Sequence, residues 1–132
     1  MRITADTYVL IRAVTEDHAE QGKIAQSTLK RADLIAISIP TLCEFVWVLL
    51  QGYKVPSGEI AEAIRRLNNA ANVAVNRPAA EAGLAQLEAG GDFADGAIAY
   101  EGSWLGADTF VSLDKKAVKL MDERGVSAQL LS

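Results

Sequence analysis

Cysteine and histidine are almost absent from this sequence, which has one of each in 132 residues. The lone cysteine, Cys43, cannot form a disulfide within the chain, and its place in an apolar run indicates a buried, inert thiol. His18 stands in a polar segment at the start of a predicted helix, away from every acidic motif, so we expect a surface position. A mechanism that depends on a catalytic histidine is therefore not expected.

Long apolar runs are also missing. No stretch reaches the roughly 20 residues that span a bilayer, and the N-terminal segment meets Asp6 before an apolar signal-peptide core can form. We therefore predict no signal peptide, no membrane segment and a cytoplasmic location, which a reduced cysteine fits. The net charge of −4 argues against a general nucleic-acid coat, but an acidic centre rimmed by a local basic patch remains compatible with it.

Half of the residues are apolar, which is enough to bury the core of one ordinary domain over residues 1–132. Periodicity and turn residues predict strands that alternate with helices, without hairpin signals. This pattern indicates a three-layer α/β/α single domain with a mostly parallel central sheet. The predicted strands are 3–9, 34–39, 73–75, 109–113 and 126–131, and the predicted helices are 17–31, 40–51, 57–67, 78–90, 92–102 and 115–124.

Four acidic residues lie where the chain passes from strand to helix: Asp6, Glu44, Asp95 and Asp114. Each is surrounded by apolar sequence, so we expect it at the edge of the core, where an uncompensated carboxylate is costly. The carboxyl ends of parallel strands share one rim of a sheet, and ligands bind there. Four acids on one rim suggest a metal site. Ligands that are all oxygen favour Mg²⁺ or Mn²⁺ over zinc.

Helix capping offers another explanation for several of these acids. Asp92 and Asp95 are spaced as the N-cap and third residue of a helix, and we interpret Asp92 as a cap. Asp6 and Asp114 would equally cap helices that begin at Thr7 and Lys115. Glu44 resists this explanation because its neighbours are nearly all apolar.

Four motifs in this order resemble the PIN-domain ribonucleases, and among them the VapC-type toxins of bacterial toxin–antitoxin pairs. The motifs are Asp6-Thr7 followed by residues 9–12, Glu44 followed by residues 45–49, residues 92–99 around Asp95, and residues 112–116 around Asp114. Two positions depart from the family pattern. Tyr8 stands where close relatives commonly have Asn, and Gly96 replaces a small or apolar helix former.

The resemblance implies an RNA-cleaving domain whose acid quartet, Asp6, Glu44, Asp95 and Asp114, binds Mg²⁺ or Mn²⁺. It also implies a cognate antitoxin protein and a homodimer. We assign Asp6 and Asp95 as direct metal ligands, while Glu44 and Asp114 would orient water or hold a second ion. The expected products are 5′-phosphate and 3′-hydroxyl ends.

Other residues near these motifs have two readings each. The hydroxyls of Thr7 and Ser112 could assist the site or serve only as turn caps or strand hydroxyls. The cations could contact phosphates beside the site or be ordinary solvated charges: Arg12, Lys115 and Lys116. Trp47 and Trp104 stand in apolar stretches, where we favour core packing over base stacking. Ile60, Ile64 and Leu67, near Tyr53, are predicted to form a dimer contact.

Other classes are less compatible with the sequence. Haloacid dehalogenase phosphatases need a second aspartate two positions after the first, and receiver domains need an acidic pair after the first strand; both features are missing. Two alternatives stay open: a non-catalytic binding module of the same fold, and an isolated RNA-processing nuclease.

If the toxin reading holds, an antitoxin peptide would block the acidic site with Arg or Lys and fill an adjoining groove with apolar residues.

Overall fold

The computed structural model describes residues 1–131, which divide into two compact units, Met1–Asn76 and a second unit that begins at Arg77. Each unit contains its own parallel strand pairs and its own packed helices. The mixed α/β class predicted from the sequence is therefore confirmed. The strands form two hydrogen-bonded sheets, one in each unit, whereas the sequence predicted one central sheet.

The first unit is a three-stranded parallel sheet with four helices. Its strands run in the order β1-β2-β3, and Ile3, Ile35 and Val73 lie opposite one another in register. A pair of helices joins each strand to the next. The elements are β1 (Arg2–Thr4), α1 (Thr7–Val14), α2 (Ala19–Arg31), β2 (Leu34–Ala36), α3 (Ile39–Gln51), α4 (Ser57–Asn69) and β3 (Val73–Ala74).

Local chemistry explains where the helices of this unit begin. Asp6 caps α1, and Ser38 caps α3 by accepting a hydrogen bond from the Thr41 amide at 3.3 Å. Pro40 occupies the first turn of α3, where its missing N–H costs nothing. The core is formed by fully buried side chains from the helices: Leu10, Ile11, Leu42, Phe45, Ile60 and Ile64.

The second unit is a helical pair followed by a two-stranded parallel sheet. Its elements are α5 (Arg77–Glu88), α6 (Phe93–Trp104), β4 (Phe110–Ser112), α7 (Lys115–Glu123) and β5 (Ala128–Leu130). Helices α5 and α6 pack closely because Gly96 brings the α6 backbone against Ala82 of α5. Gly125 ends α7 with a φ of 79°, a conformation that glycine adopts without strain.

Several boundaries differ from the sequence prediction. The strand predicted over 3–9 is wrong beyond Thr4, since a helix already begins at Thr7. Asp6 supplies the cap that makes this early start possible, which a count of apolar residues does not detect. The helix predicted to end at Gly102 continues to Trp104. No helix within residues 1–131 has the length and hydrophobicity needed to cross a membrane.

The expected burial of two tryptophans and the expected dimer contact are wrong. Trp47 is 65% exposed and Trp104 is 74% exposed, so neither packs in the core. Ile60 and Ile64 are 0% exposed within the single chain and therefore have no surface to offer a second copy. The apolar face of α4 packs into the core of its own unit.

Candidate functional site

Asp6 follows β1 and holds the first turn of α1. Its Oδ1 accepts hydrogen bonds from the amides of Tyr8 at 2.9 Å and Val9 at 3.2 Å. Both bonds use the same oxygen, so within residues 1–131 the second oxygen, Oδ2, has no hydrogen-bond donor. The capping explanation for Asp6 is therefore confirmed, and it leaves one carboxylate oxygen for a ligand.

The Thr7 side chain, just after β1, contacts α3, the helix that follows β2. Its buried hydroxyl donates to Oε1 of Glu44 at 2.5 Å. The two strands are parallel neighbours, so their carboxyl ends share one edge of the sheet. Asp6 and Glu44 are thus brought to the same edge of the first unit, as the sequence predicted, and Thr7 helps to position Glu44.

Glu44 lies on the exposed side of α3, and Asp6 and Asp114 are exposed as well, so the expected position at the edge of the core is wrong for these three acids. The residues of α3 that face solvent recur at helical spacing, and Glu44, Trp47 and Gln51 form a narrow exposed stripe. All other large side chains of this helix are buried or half-buried. The sequence expectation failed here because a stripe this narrow leaves few polar positions in a helix that is otherwise packed.

Asp92 and Asp95 open α6 with different roles. Asp92 is the N-cap, and its Oδ1 accepts a hydrogen bond from the Ala94 amide at 3.1 Å. Asp95 lies in the first turn and is half-buried, and no described residue donates a hydrogen bond to its carboxylate. The interpretation of Asp92 as a cap is confirmed, whereas Asp95 has no structural partner that explains its charge.

The surroundings of Asp95 raise its pKa above the ordinary value. Burial contributes most, because it removes water from the charged form, and the nearby negative charges of Asp92 and Asp114 add to it. Carboxylates of like charge in one place repel one another unless a cation lies between them. A cation bound near Asp95 would therefore offset the effects that raise its pKa.

Asp114 follows β4 and caps α7. Its Oδ1 accepts from the Ala117 amide at 3.1 Å, and its own amide donates to the hydroxyl of Ser112 at 3.0 Å. Ser112 thus shapes the turn that presents Asp114. Asp95 and Asp114 act on each other electrostatically within the second unit, while Asp114 itself remains exposed.

The donor chemistry of these acids suits a hard cation. All the candidate ligands are carboxylate oxygens, the atoms that Mg²⁺ and Mn²⁺ prefer. Within residues 1–131, no three His, Cys, Asp or Glu side chains are grouped so that one ion could contact them all. Mg²⁺ usually keeps several waters and binds through one or two carboxylates together with substrate phosphates, so pairs of acids fit this ion.

Arg12 belongs to a hydrogen-bonded network, which differs from both sequence readings. Its Nε donates to Oε1 of Gln21 at 2.9 Å, and its Nη1 donates to the Tyr53 hydroxyl at 3.0 Å. Tyr53 in turn donates to Asp17 at 2.7 Å, which together with Thr15 and Arg12 lowers the pKa of Asp17. The sequence did not reveal this network, because its members come from three separate segments with no shared motif.

The two lysines beside Asp114 and the histidine lie on the surface, and the cysteine is half-buried. Lys115 and Lys116 are exposed in the first turn of α7, beside Asp114, so their proposed phosphate contacts stay a prediction. His18 is exposed immediately before α2, and its surface position is confirmed. Cys43 is half-buried on α3.

The structure therefore places Asp6 and Glu44 at one edge of the first sheet, and Asp92 and Asp114 act electrostatically on Asp95. That all four members of the quartet share one rim stays a prediction. No protein-family model matches this chain, and no curated protein matches it. The resemblance to the PIN-domain ribonucleases thus rests on the four sequence motifs alone.

Proposed function

We propose that this protein is an Mg²⁺- or Mn²⁺-dependent endoribonuclease with a PIN-like fold, and that it is the toxin of a toxin–antitoxin pair. Its catalytic acids would be Asp6, Glu44, Asp95 and Asp114, with Asp6 and Asp95 as metal ligands. The proposal includes a cytoplasmic location, a three-layer single domain, a cognate antitoxin protein and a homodimer.

The observation that carries the proposal is the state of Asp95. This acid is half-buried and receives no hydrogen bond from the described residues. Its pKa is raised mainly by burial, and the negative charges of Asp92 and Asp114 add to the shift. Such an arrangement costs stability in the folded chain unless a cation binds it. Perturbed carboxylates of this kind concentrate at functional sites.

The chain's own residues have definable roles in phosphodiester hydrolysis. Asp6 offers Oδ2 to a ligand while Oδ1 keeps α1 in place. Thr7 holds Glu44 near the start of α1, and Ser112 orients the turn at Asp114. When bound, the cation would neutralise the carboxylates and stabilise the negative charge that develops on the scissile phosphate.

The direct test is RNA cleavage by the purified protein with Mn²⁺ and with a chelator. We expect cleavage only with the metal, and we expect Asp95→Asn to reduce it by at least two orders of magnitude. Asp92→Asn is the matched control, because it makes the same change three residues away and asparagine caps a helix as well as aspartate. If both variants cleave equally well, Asp95 has no special role.

One observation favours a second candidate, a non-catalytic binding module of the same fold. Asp6, Asp92 and Asp114 all cap helices, so each has a structural reason to be present. A binding module would cleave no RNA with either additive. Glu44 and Asp95 do not cap helices, and this difference supports the ribonuclease proposal.

A further inference from the structure

A pocket of about 320 Å³ opens beside Asp6, between α1 and α2. One wall is the Tyr8 side chain, which is 49% exposed, and the opposite wall includes Ile24, which is 62% exposed. Its size is at the lower end of the range for small-ligand sites. The lining also includes Asp6, Val9, Arg12 and Thr28.

The Tyr8 ring is paired with a fixed cation. The guanidinium carbon of Arg12 lies 5.6 Å from the centre of the ring. Gln21 and Tyr53 hold this guanidinium by hydrogen bonds, and Asp17 lies 3.9 Å from it. Because these partners already occupy Arg12 and offset its charge, it is better suited to support the ring than to clamp a phosphate.

We infer that this pocket holds one base of a single-stranded RNA substrate, stacked on the Tyr8 ring, with the neighbouring phosphodiester toward Asp6. This inference rests on the proposed ribonuclease function. Base stacking needs an exposed aromatic face, apolar walls and a polar edge. Tyr8, Ile24 and the Thr28 hydroxyl supply them here.

A nucleobase fits this pocket better than a cationic or small aliphatic side chain of a peptide. A cationic side chain would meet Arg12, which already forms part of the wall. A small aliphatic side chain would not use the aromatic ring and its cation as a stacking surface. Tyr8 and Asp6 line the same pocket, and the Tyr8 amide donates to the Asp6 carboxylate at 2.9 Å, so the ring and the carboxylate belong to one site.

Binding is measured in the full-length Asp6→Asn protein, which keeps the helix cap and is expected not to cleave. The probe is a fluorescent single-stranded RNA hexamer that carries one 4-thiouridine. We expect Tyr8→Ala to weaken binding about tenfold, within the roughly 5- to 150-fold range that the loss of one stacked base predicts. Tyr8→Phe and Tyr8→Trp should bind within about twofold of the parent. Photocrosslinking should place the 4-thiouridine adduct on the peptide that contains Tyr8.

Two controls make the result specific to this pocket. Trp104→Ala removes an exposed aromatic ring from the second unit and should leave the affinity unchanged. A hexamer in which every nucleotide is abasic should bind Tyr8→Ala and the parent equally. Retained affinity in Tyr8→Ala, or an adduct outside residues 6–28, would overturn the inference.

The outcome also separates this inference from the ribonuclease proposal. A Tyr8 adduct on the Asp6→Asn protein, together with no RNA cleavage by the wild type in Mn²⁺, would support the pocket and reject the nuclease. Metal-dependent cleavage with no effect of Tyr8→Ala on affinity would reject the pocket alone. If Tyr8→Ala instead weakens inhibition by an antitoxin peptide and leaves RNA affinity unchanged, the occupant is a peptide and the base assignment is wrong.

Discussion

Gly96 offers the sharpest test of the packing beside Asp95. A Cβ added at this position would lie 2.3 Å from the carbonyl oxygen of Ala82, and 2.9 Å from both the Ala82 carbonyl carbon and the Gln86 Cβ. Two of these three atoms belong to the backbone of α5, which cannot move aside as a flexible side chain can. We therefore expect Gly96→Ala to push α6 away from α5.

The expected cost combines two opposing effects. Overpacking at a backbone contact costs about 3 kcal/mol, the upper end of the usual range. Replacing glycine inside a helix returns about 1 kcal/mol, because alanine loses less backbone entropy. The net loss is about 2 kcal/mol, which for a chain of this length lowers the melting temperature by about 8 °C.

The matched control is Gly102→Ala in the same helix. The nearest atom to its added Cβ is the Ala107 Cβ at 4.0 Å, an ordinary contact, so this variant should be unchanged or up to about 1 kcal/mol more stable. Urea denaturation followed by circular dichroism measures both variants. The displaced α6 should also move Asp95 and reduce cleavage in Gly96→Ala alone. Equal or greater stability of Gly96→Ala would refute the close approach of α5 and α6.

Three further predictions concern the acids. The folded chain raises the pKa of Asp95 above its ordinary 3.8, so the stability of the wild type falls as the pH rises through that raised pKa. Without metal, Asp95→Asn should therefore be more stable than the wild type at neutral pH and should lose this advantage below about pH 3. Denaturation measured across this pH range tests the prediction. Asp92→Ala should cost about 1 kcal/mol through the lost cap while Asp92→Asn costs almost nothing, and equal losses in the two variants would contradict the capping role. Mn²⁺ at about one hundred times its dissociation constant should raise the free energy of unfolding of the wild type by about 2.7 kcal/mol and leave that of Asp95→Asn unchanged. The effect is measured as a shift in melting temperature. An unshifted melting curve of the wild type would count against a metal site.

Much of the fold follows from local sequence signals. Alternating strands and helices without hairpin turns predicted parallel pairing, and every strand pair among the described residues is parallel. Parallel pairing also explains why Thr7, the neighbour of Asp6, contacts Glu44, since these residues follow the carboxyl ends of neighbouring strands. These features depend on chain order and short-range chemistry, which a sequence displays directly.

Strand lengths were harder to predict. The strands have two or three residues each, shorter than most of the apolar runs that contain them. Apolar periodicity marks burial and does not mark where hydrogen-bonded pairing stops. The early start of α1 at Thr7 shows the same difficulty, because a single capping side chain outweighed the β-forming residues that follow it.

The sequence by itself determined the α/β class and the helix cap at Asp92, because a cap needs only a side chain two or three residues from the amide that it binds. For Asp6 and Asp114 it gave capping as one of two readings, and the structure shows both caps. Only the tertiary structure decided that Trp47 is exposed and that Asp95 has a raised pKa. Burial and the charge of Asp114 depend on how separate elements pack against one another, although the charge of Asp92 acts from the start of the same helix. No spacing of residues along the sequence specifies that packing.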